Sequence, residues 1–140
     1  MREYKFRGKA KATGEWVYGD LIHRYDNWTY IAPIPSVTNI KPIEVDPETV
    51  GQYTGLFDKN GNELWESDII ENEHKERYLI VWGSTGFNAA LDGSKKAIYS
   101  ANEYWFKSCK KIGNKWDNPE LLKEDSNDRK NLQKQIHGNM

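Results

Sequence analysis

The chain has 140 residues, 20 of them Lys or Arg and 21 Asp or Glu, so its formal net charge is −1. This length suits one domain or two small lobes, and the balanced charge excludes a whole-surface attraction to nucleic acid or anionic membrane. The single cysteine, Cys109, excludes an internal disulfide and fits a reducing cytosol. No stretch approaches the ~20 apolar residues that span a bilayer. We therefore expect a cytoplasmic protein with no membrane partner.

Large aromatic side chains are frequent, with six Trp and eight Tyr against four Phe. Such residues favour strands. Trp and Tyr also favour interfaces, because one end of the ring can stay in water. We expect most of them to fill a small β core, which leaves the rest for a binding surface.

The N-terminal third predicts short strands. Residues 2–7 alternate aromatic and charged side chains, the period of a half-buried strand. Together with residues 15–22 they predict a hairpin. Residues 28–34 predict a third strand, which ends at prolines that cannot donate into a ladder. A proline-rich loop follows, so we expect an N-terminal β lobe over residues 1–48.

From residue 49 onward the pattern is that of an antiparallel meander, with turns rich in Gly, Asn, Asp and Ser. The predicted strands are 49–57, 62–72, 77–83, 87–92, 96–100 and 103–113. Short strands at this spacing predict a small barrel or sandwich, so we assign residues 49–117 to a C-terminal β lobe. A helical turn is the alternative for residues 87–92.

The segment 118–140 differs from the rest of the chain. It begins with Asn118, Pro119 and Glu120, which supply an N-cap residue, a proline at the first helical position and an acid in the first turn. This start predicts a short helix over 119–124. A second helix is expected around 127–137, and the last residues are expected to be disordered.

A turn with the sequence Asp-Lys-Asn-Gly lies inside the segment VGQYTGLFDKNGNELWESDII, residues 50–70. A calcium-binding EF-hand loop needs Gly at position 6 and a bidentate acid at position 12. Counting from Asp58, Gly61 falls at position 4 and Ile69 at position 12, which excludes that loop. We expect a hairpin turn in which Asp58 accepts backbone amides and Gly61 has positive φ.

No catalytic constellation is visible, so no catalytic, metal-binding or cofactor-binding residue is assigned and no cofactor is expected. Cys109 and the scattered histidines lack the spacing of a nucleophile–base pair or a metal site. Glu66 and Asp68 would share a strand face, and with Glu71 they could hold a metal or act as acid and base. A solvated, charged strand edge is the preferred interpretation.

Basic and aromatic residues alternate near the end of the last predicted strand. The candidate interaction surface consists of Trp105, Lys107, Lys110, Lys111 and Trp116. Small barrels bind single-stranded nucleic acid by stacking bases on aromatic rings above a basic groove. Acidic residues lie close by in the same segments, so nucleic-acid binding is an alternative and not the preferred hypothesis.

Three segments occur in an order that identifies a family. REYKFRGKA followed by EWVYGDL opens the chain, GQYTGLFDKNGNELWESDIIEN spans residues 51–72, and KKIGNKWDNPELL spans residues 110–122. They resemble the opening strands, the central signature QYTGLxDKNGxxIYxGDIV and the closing IGNxYxNPELL of the YopX family, small proteins of phages and prophages of Gram-positive bacteria. Ser67 stands where the family usually has Gly, and Trp65 replaces the usual Tyr.

The resemblance implies a mainly β protein whose C-terminal lobe is like a small SH3-type barrel. It implies no catalytic activity and no functional residue. The leading hypothesis is a non-enzymatic phage accessory protein whose β surface binds a host or phage protein, with or without forming a homo-oligomer. The rival hypotheses are a single-stranded nucleic-acid-binding protein and a small metal-dependent hydrolase that uses Glu66 and Asp68.

Overall fold

A computed structural model gives the structure of most of the chain. It describes residues 3–24, 28–33, 41–83, 85–95 and 98–122. The chain divides into two compact units, residues 1–55 and 56–140. The expected helix around 127–137 and the expected disordered end lie outside the described residues. No described helix is long and apolar enough to cross a membrane.

The first unit is an antiparallel sheet. Its strands are β1 (Phe6–Lys9), β2 (Trp16–His23), β3 (Thr29–Pro33), β4 (Ile43–Glu44) and the start of β5 (Gly51–Phe57). Their order across the sheet is β4-β3-β2-β1-β5. The predicted N-terminal hairpin is confirmed, because β1 and β2 pair antiparallel with Arg7 opposite Tyr18. The strand predicted over residues 28–34 is confirmed as β3.

The core of the first unit contains buried aliphatic side chains that pack closely against the backbone of β1. Ile31 and Val45 are fully buried. Gly8 in β1 lies against them, since a β-carbon at that position would come within 3.0 Å of a Val45 methyl. The Arg7 guanidinium is also buried and lies 4.5 Å from the centre of the Trp16 ring, a cation–π contact that helps to hold a charged group inside.

The second unit is mainly β. Its elements are β6 (Glu63–Trp65), β7 (Asp68–Glu71), β8 (Arg77–Gly83), β9 (Gly86–Leu91), β10 (Ile98–Ser100), helix α1 (Glu103–Ser108) and β11 (Lys110–Asn114). Five of these strands form an antiparallel sheet in the order β10-β9-β8-β7-β11. The predicted mainly β, antiparallel fold is confirmed, and the segment predicted over 87–92 forms strand β9, which ends at Leu91. Among the described residues this sheet is open, with β10 and β11 at its edges, so no closed barrel is seen.

The five-stranded sheet buries side chains on both faces. Successive residues of a strand point to opposite faces, and Ile69 and Ile70 of β7 are both fully buried in different apolar clusters. Ile70 packs in a cluster that contains Ile80 and Phe106. Ile69 belongs to a cluster with Leu79 and Ala90. Two covered faces explain why the central strands are nearly continuous apolar runs.

The strand predicted over 103–113 is wrong in its first half, where the chain forms helix α1. Asn102 caps this helix, because its Oδ1 accepts a hydrogen bond from the backbone N–H of Trp105 at 2.9 Å. Glu103 supplies an acid in the first turn. The aromatic residues of this segment favour strand, but the cap and the burial of Phe106 favour helix. A strand begins only at Lys110.

Two further predicted elements are shorter than expected. The strand predicted over 62–72 is divided into β6 and β7 by Ser67, whose φ of 74° is incompatible with a strand. The helix predicted from residue 119 starts there but is a single 3-10 turn, Pro119–Leu121. Asn118 makes no side-chain cap for this turn, because its Oδ1 accepts from the backbone N–H of Asn114 at 3.2 Å.

Candidate functional site

The Asp-Lys-Asn-Gly turn is organised by one buried carboxylate. Oδ1 of Asp58 accepts the backbone N–H groups of Asn60 at 2.9 Å and Asn62 at 2.7 Å. Oδ2 accepts the Asn62 side-chain amide at 3.1 Å and the backbone N–H of Lys111 at 2.9 Å. The predicted backbone role of Asp58 is confirmed, and it extends to β11. Burial raises the pKa of Asp58, but these hydrogen bonds outweigh burial and hold the pKa below its usual value.

Gly61 ends this turn with a φ of 81°, as predicted. A β-carbon placed there would meet no heavy atom within 4 Å. The requirement for glycine is therefore one of backbone conformation and not of space. Ser67, at the position of a Gly in the signature that this segment resembles, has a φ of 74°, so a residue with a side chain is held in the left-handed conformation.

Asp68 is fully buried and contacts a lysine. Its Oδ2 accepts the backbone N–H of Trp65 at 2.7 Å and lies 3.1 Å from Nζ of Lys111. The same ammonium lies 3.4 Å from the backbone carbonyl of Glu63. Glu66 is only half-buried, so the two carboxylates of the rival metal or acid–base hypothesis lie in different environments. The preferred interpretation of a solvated strand edge is wrong for Asp68 and Glu71, because both side chains are buried. In the part of the chain that the structure describes, no group of three His, Cys, Asp or Glu side chains is placed to hold a metal.

A third buried carboxylate, Glu71, lies among three cations. The distances from its carboxylate oxygens are 3.3 Å to Nε of Arg77, 3.6 Å to Nζ of Lys110 and 3.7 Å to Nζ of Lys75. Arg77 and Lys110 are its direct cross-strand partners in β8 and β11. Burial raises the pKa of Glu71. The hydrogen bond from Arg77 and the charges of the two lysines lower it by more, so the pKa lies below its usual value.

The three lysines of the predicted interaction surface all contact carboxylates. Lys110 and Lys111 contact Glu71 and Asp68 as described, and Nζ of Lys107 lies 3.1 Å from Glu103 one turn earlier in α1. These contacts reduce the positive charge that the lysines present to a nucleic-acid backbone.

The two tryptophans of the predicted surface are half-buried. The Trp105 ring packs edge-on against Tyr78, with ring centroids 4.9 Å apart. The Trp116 ring lies beneath the ammonium of Lys115, 4.9 Å from its centroid. Both rings therefore have packing roles, and neither is a fully free stacking platform.

Exposed aromatic and aliphatic side chains of the second unit also lie outside the predicted surface. In β10, Ile98 is 47% exposed, Tyr99 is 52% exposed, and Ser100 is exposed as well. The Tyr99 ring lies 6.3 Å from that of Tyr78, so it continues the Tyr78–Trp105 aromatic contact out to the sheet edge. The sequence did not point to this strand, because only the strand order reveals that β10 lies at an edge of the described sheet.

Comparisons with known proteins agree with this architecture. Among solved structures, the chain is similar to the crystal structure of protein EF1440 from Enterococcus faecalis, with a TM-score of 0.53 and 21% identity over 88% of this chain and 100% of that chain. At that identity the likeness shows the fold alone. None of the curated proteins matches the chain. A family model described as YopX protein matches residues 5–123. Because this match covers most of the chain, the protein belongs to the YopX family.

Proposed function

We propose that this protein is a non-enzymatic binding module that engages a protein partner through the edge strand β10. The observation that carries the proposal is the exposure of all three β10 residues at the end of the sheet. Edge strands offer unpaired backbone groups, and proteins usually blunt them with charged residues, prolines or bulges. The strand Ile98–Ser100 contains no charged residue and no proline, and its three residues limit the pairing with a partner strand to a short stretch.

The side chains around β10 suit a partner that adds a strand of its own to this edge of the sheet. In strand addition, the backbone of the partner supplies hydrogen bonds and alternate side chains enter neighbouring pockets. Tyr99, backed by Tyr78 and Trp105, gives such a strand an aromatic surface on one face of the sheet. Tyr104 in α1 is 82% exposed and adds to the aromatic surface of this unit. Tyr is enriched in protein interfaces because its ring is large, rigid and partly polar.

A protein fits this surface better than a nucleic acid does. The three lysines of the predicted basic surface contact Glu71, Asp68 and Glu103, and the chain carries a net charge of −1. Non-specific nucleic-acid binding depends on cations that are free to neutralise phosphates.

The family suggests the biological setting. We propose that a phage or prophage encodes the protein, that it acts in the cytoplasm of the bacterial host, and that its partner is a host or phage protein or a second copy of itself. This setting rests on the family resemblance and on the reducing environment that one lone cysteine suits.

The test compares two variants that each remove an exposed tyrosine. Tyr99→Lys places a charge on β10, whereas Tyr4→Lys changes a residue of the first unit that is 63% exposed. We expect affinity capture from prophage-carrying cells, followed by calorimetry with the purified partner, to show a complex that Tyr99→Lys loses and Tyr4→Lys retains. Sedimentation of the pure protein reports self-association in the same way.

Three outcomes would overturn the proposal. The first is equal loss of the complex in both variants, and the second is a monomer that captures no partner above background. The third is tight, salt-dependent binding to single-stranded oligonucleotides, which would identify the nucleic-acid hypothesis as the correct one.

A further inference from the structure

A cavity of about 560 Å³ opens beside the charged cluster around Glu71. Its lining, besides Glu71, consists of Lys75, Glu76, Arg77, Leu91, Asp92 and Leu121. The volume falls in the range of small-molecule sites, which combine apolar walls with a few polar groups. None of these residues belongs to β10, so this cavity is a feature independent of the proposed protein-binding edge.

Arg77 is held in place before any ligand arrives. Its Nε donates to Oε2 of Glu71 at 3.3 Å, and its Nη1 donates to the backbone carbonyl of Leu121 at 3.1 Å. A guanidinium has five N–H donors in a rigid plane, so these two bonds fix its orientation and leave three donors. Its side chain stays 38% exposed, so these donors are accessible to a ligand in the cavity. A pre-organised guanidinium is well suited to bidentate recognition of a carboxylate.

The charge around Glu71 favours an anion at this position. One carboxylate lies within 4 Å of three cations, namely Arg77, Lys75 and Lys110. These four groups carry a local charge of plus two, which attracts an anion to this part of the cavity. Lys110 lies outside the cavity wall, and the wall as a whole carries minus one because Glu76 and Asp92 also line it. Lys75 is 77% exposed and can move toward a ligand without breaking the fold.

The remaining lining groups carry the opposite charge or none. Glu76 and Asp92 add two carboxylates, whereas Leu91 and Leu121 add apolar walls. An inorganic phosphate would meet the cations but would also be repelled by Glu76 and Asp92. A ligand with one carboxylate, one ammonium and an aliphatic body meets both signs of charge and both leucines.

We propose that this cavity binds a small zwitterion with an aliphatic side chain, the chemistry of an α-amino acid. Arg77 and Lys75 hold its carboxylate, Glu76 and Asp92 attract its ammonium, and Leu91 and Leu121 contact its side chain. This function is additional to the proposed protein binding and does not depend on it.

The first experiment measures binding of L-leucine to the full chain by calorimetry and by ligand-observed NMR. Two analogues serve as matched controls, because 4-methylpentanoate lacks the ammonium and leucinamide lacks the carboxylate. We expect leucine to bind and each analogue to lose at least about tenfold in affinity. No detectable binding of leucine at millimolar concentration overturns the proposal, as does equal binding of either analogue or stronger binding of inorganic phosphate.

The second experiment assigns the binding to the cavity. Arg77→Gln removes the anchoring guanidinium, and Lys75→Gln changes an exposed residue and so keeps the proposal testable if Arg77→Gln fails to fold. Lys107→Gln is the control, since it breaks an exposed lysine–carboxylate pair in α1. We expect loss of leucine binding in Arg77→Gln, weakening in Lys75→Gln and no change in Lys107→Gln. Unchanged binding in Lys75→Gln and in every folded Arg77 variant would overturn the assignment.

Discussion

Lys111 contacts two buried carboxylates with two different groups. Its backbone N–H donates to Oδ2 of Asp58 at 2.9 Å, and its ammonium lies 3.1 Å from Oδ2 of Asp68. The Asp-Lys-Asn-Gly turn and the start of β7 are thereby both attached to β11. A second bond, from the backbone N–H of Lys59 to the carbonyl of Cys109 at 2.9 Å, supports the same attachment.

Removal of the Asp58 carboxylate should destabilise the second unit strongly. Asp58→Ala leaves three backbone N–H groups and one amide without their acceptor, and we expect a loss of about 2 to 4 kcal/mol of unfolding free energy, measured in urea. Asp46→Ala is the control, because Asp46 accepts one exposed backbone N–H from Glu48. That variant should lose about 1 kcal/mol or less. Equal losses would show that the additional hydrogen bonds of Asp58, including the one from Lys111, add nothing to stability.

Loss of the Lys111 ammonium should leave a buried charge without its cation. Lys111→Met keeps the length of the side chain, and we expect a loss of about 2 to 4 kcal/mol, because Asp68 is fully buried. Addition of Asp68→Asn should recover part of that loss, since the neutral amide needs no counter-ion. A double variant that is less stable than Lys111→Met alone would contradict this account.

Stability should fall in acid because of Asp58 and Glu71. Both have a pKa below the ordinary values of 3.8 and 4.5 in the folded protein. A depressed folded pKa contributes stability above the unfolded pKa, and that contribution is lost as the pH falls through the folded pKa. We expect the urea midpoint to decline progressively below about pH 4.5. Asp58→Ala should show a shallower decline, and an equally steep decline in that variant would exclude Asp58 as a source.

Replacement of Ser67 by glycine should stabilise the protein. The φ of 74° at Ser67 strains a residue with a side chain, and relief of that strain outweighs the added freedom of glycine in the unfolded chain. We expect Ser67→Gly to raise the unfolding free energy by about 0.5 to 1 kcal/mol. Ser100→Gly, in the exposed strand β10, should lower it. Destabilisation by Ser67→Gly would mean that the serine side chain has a contact that outweighs the strain.

Gly61 should resist replacement by a β-branched residue. Gly61→Val forces such a residue to a φ of 81° and should cost about 1 kcal/mol or more. Thermal melting of this variant, compared with Lys59→Val two positions earlier in the same turn, isolates the conformational cost. Identical melting of the two variants would show that the turn relaxes without penalty.

The local parts of the fold could be predicted from the sequence, and the long-range parts could not. The role of Asp58 within its turn and the positive φ of Gly61 follow from residues two to four positions apart. The bond from Asp58 to Lys111 joins residues 53 positions apart, and no spacing rule reports it. The proposed β10 edge could not be predicted for the same reason, because the exposure of Tyr99 depends on which strand lies at the sheet edge.

Helix α1 shows where local signals compete. Tyr104, Trp105 and Phe106 favour strand by intrinsic preference, whereas Asn102 supplies a helix cap. Tertiary burial of Phe106 decides in favour of the helix, and burial of this kind becomes visible only when the sheet beneath it is known.

Because Asp58 is bonded to Lys111, the turn can be completed only after β11 has been synthesised. During synthesis, Asp58 leaves the ribosome long before Lys111 does, so the turn emerges with one carboxylate oxygen still lacking its β11 donor. Bringing Asp58 and Lys111 together closes a long loop, and the lost conformational entropy is offset only when the sheet that contains β11 has formed. A nascent chain stopped before residue 110 would carry the most recognisable motif of the family without the strand that locks it. The motif alone therefore does not show that the second unit is complete, because its turn gains its last hydrogen bond only when β11 is present.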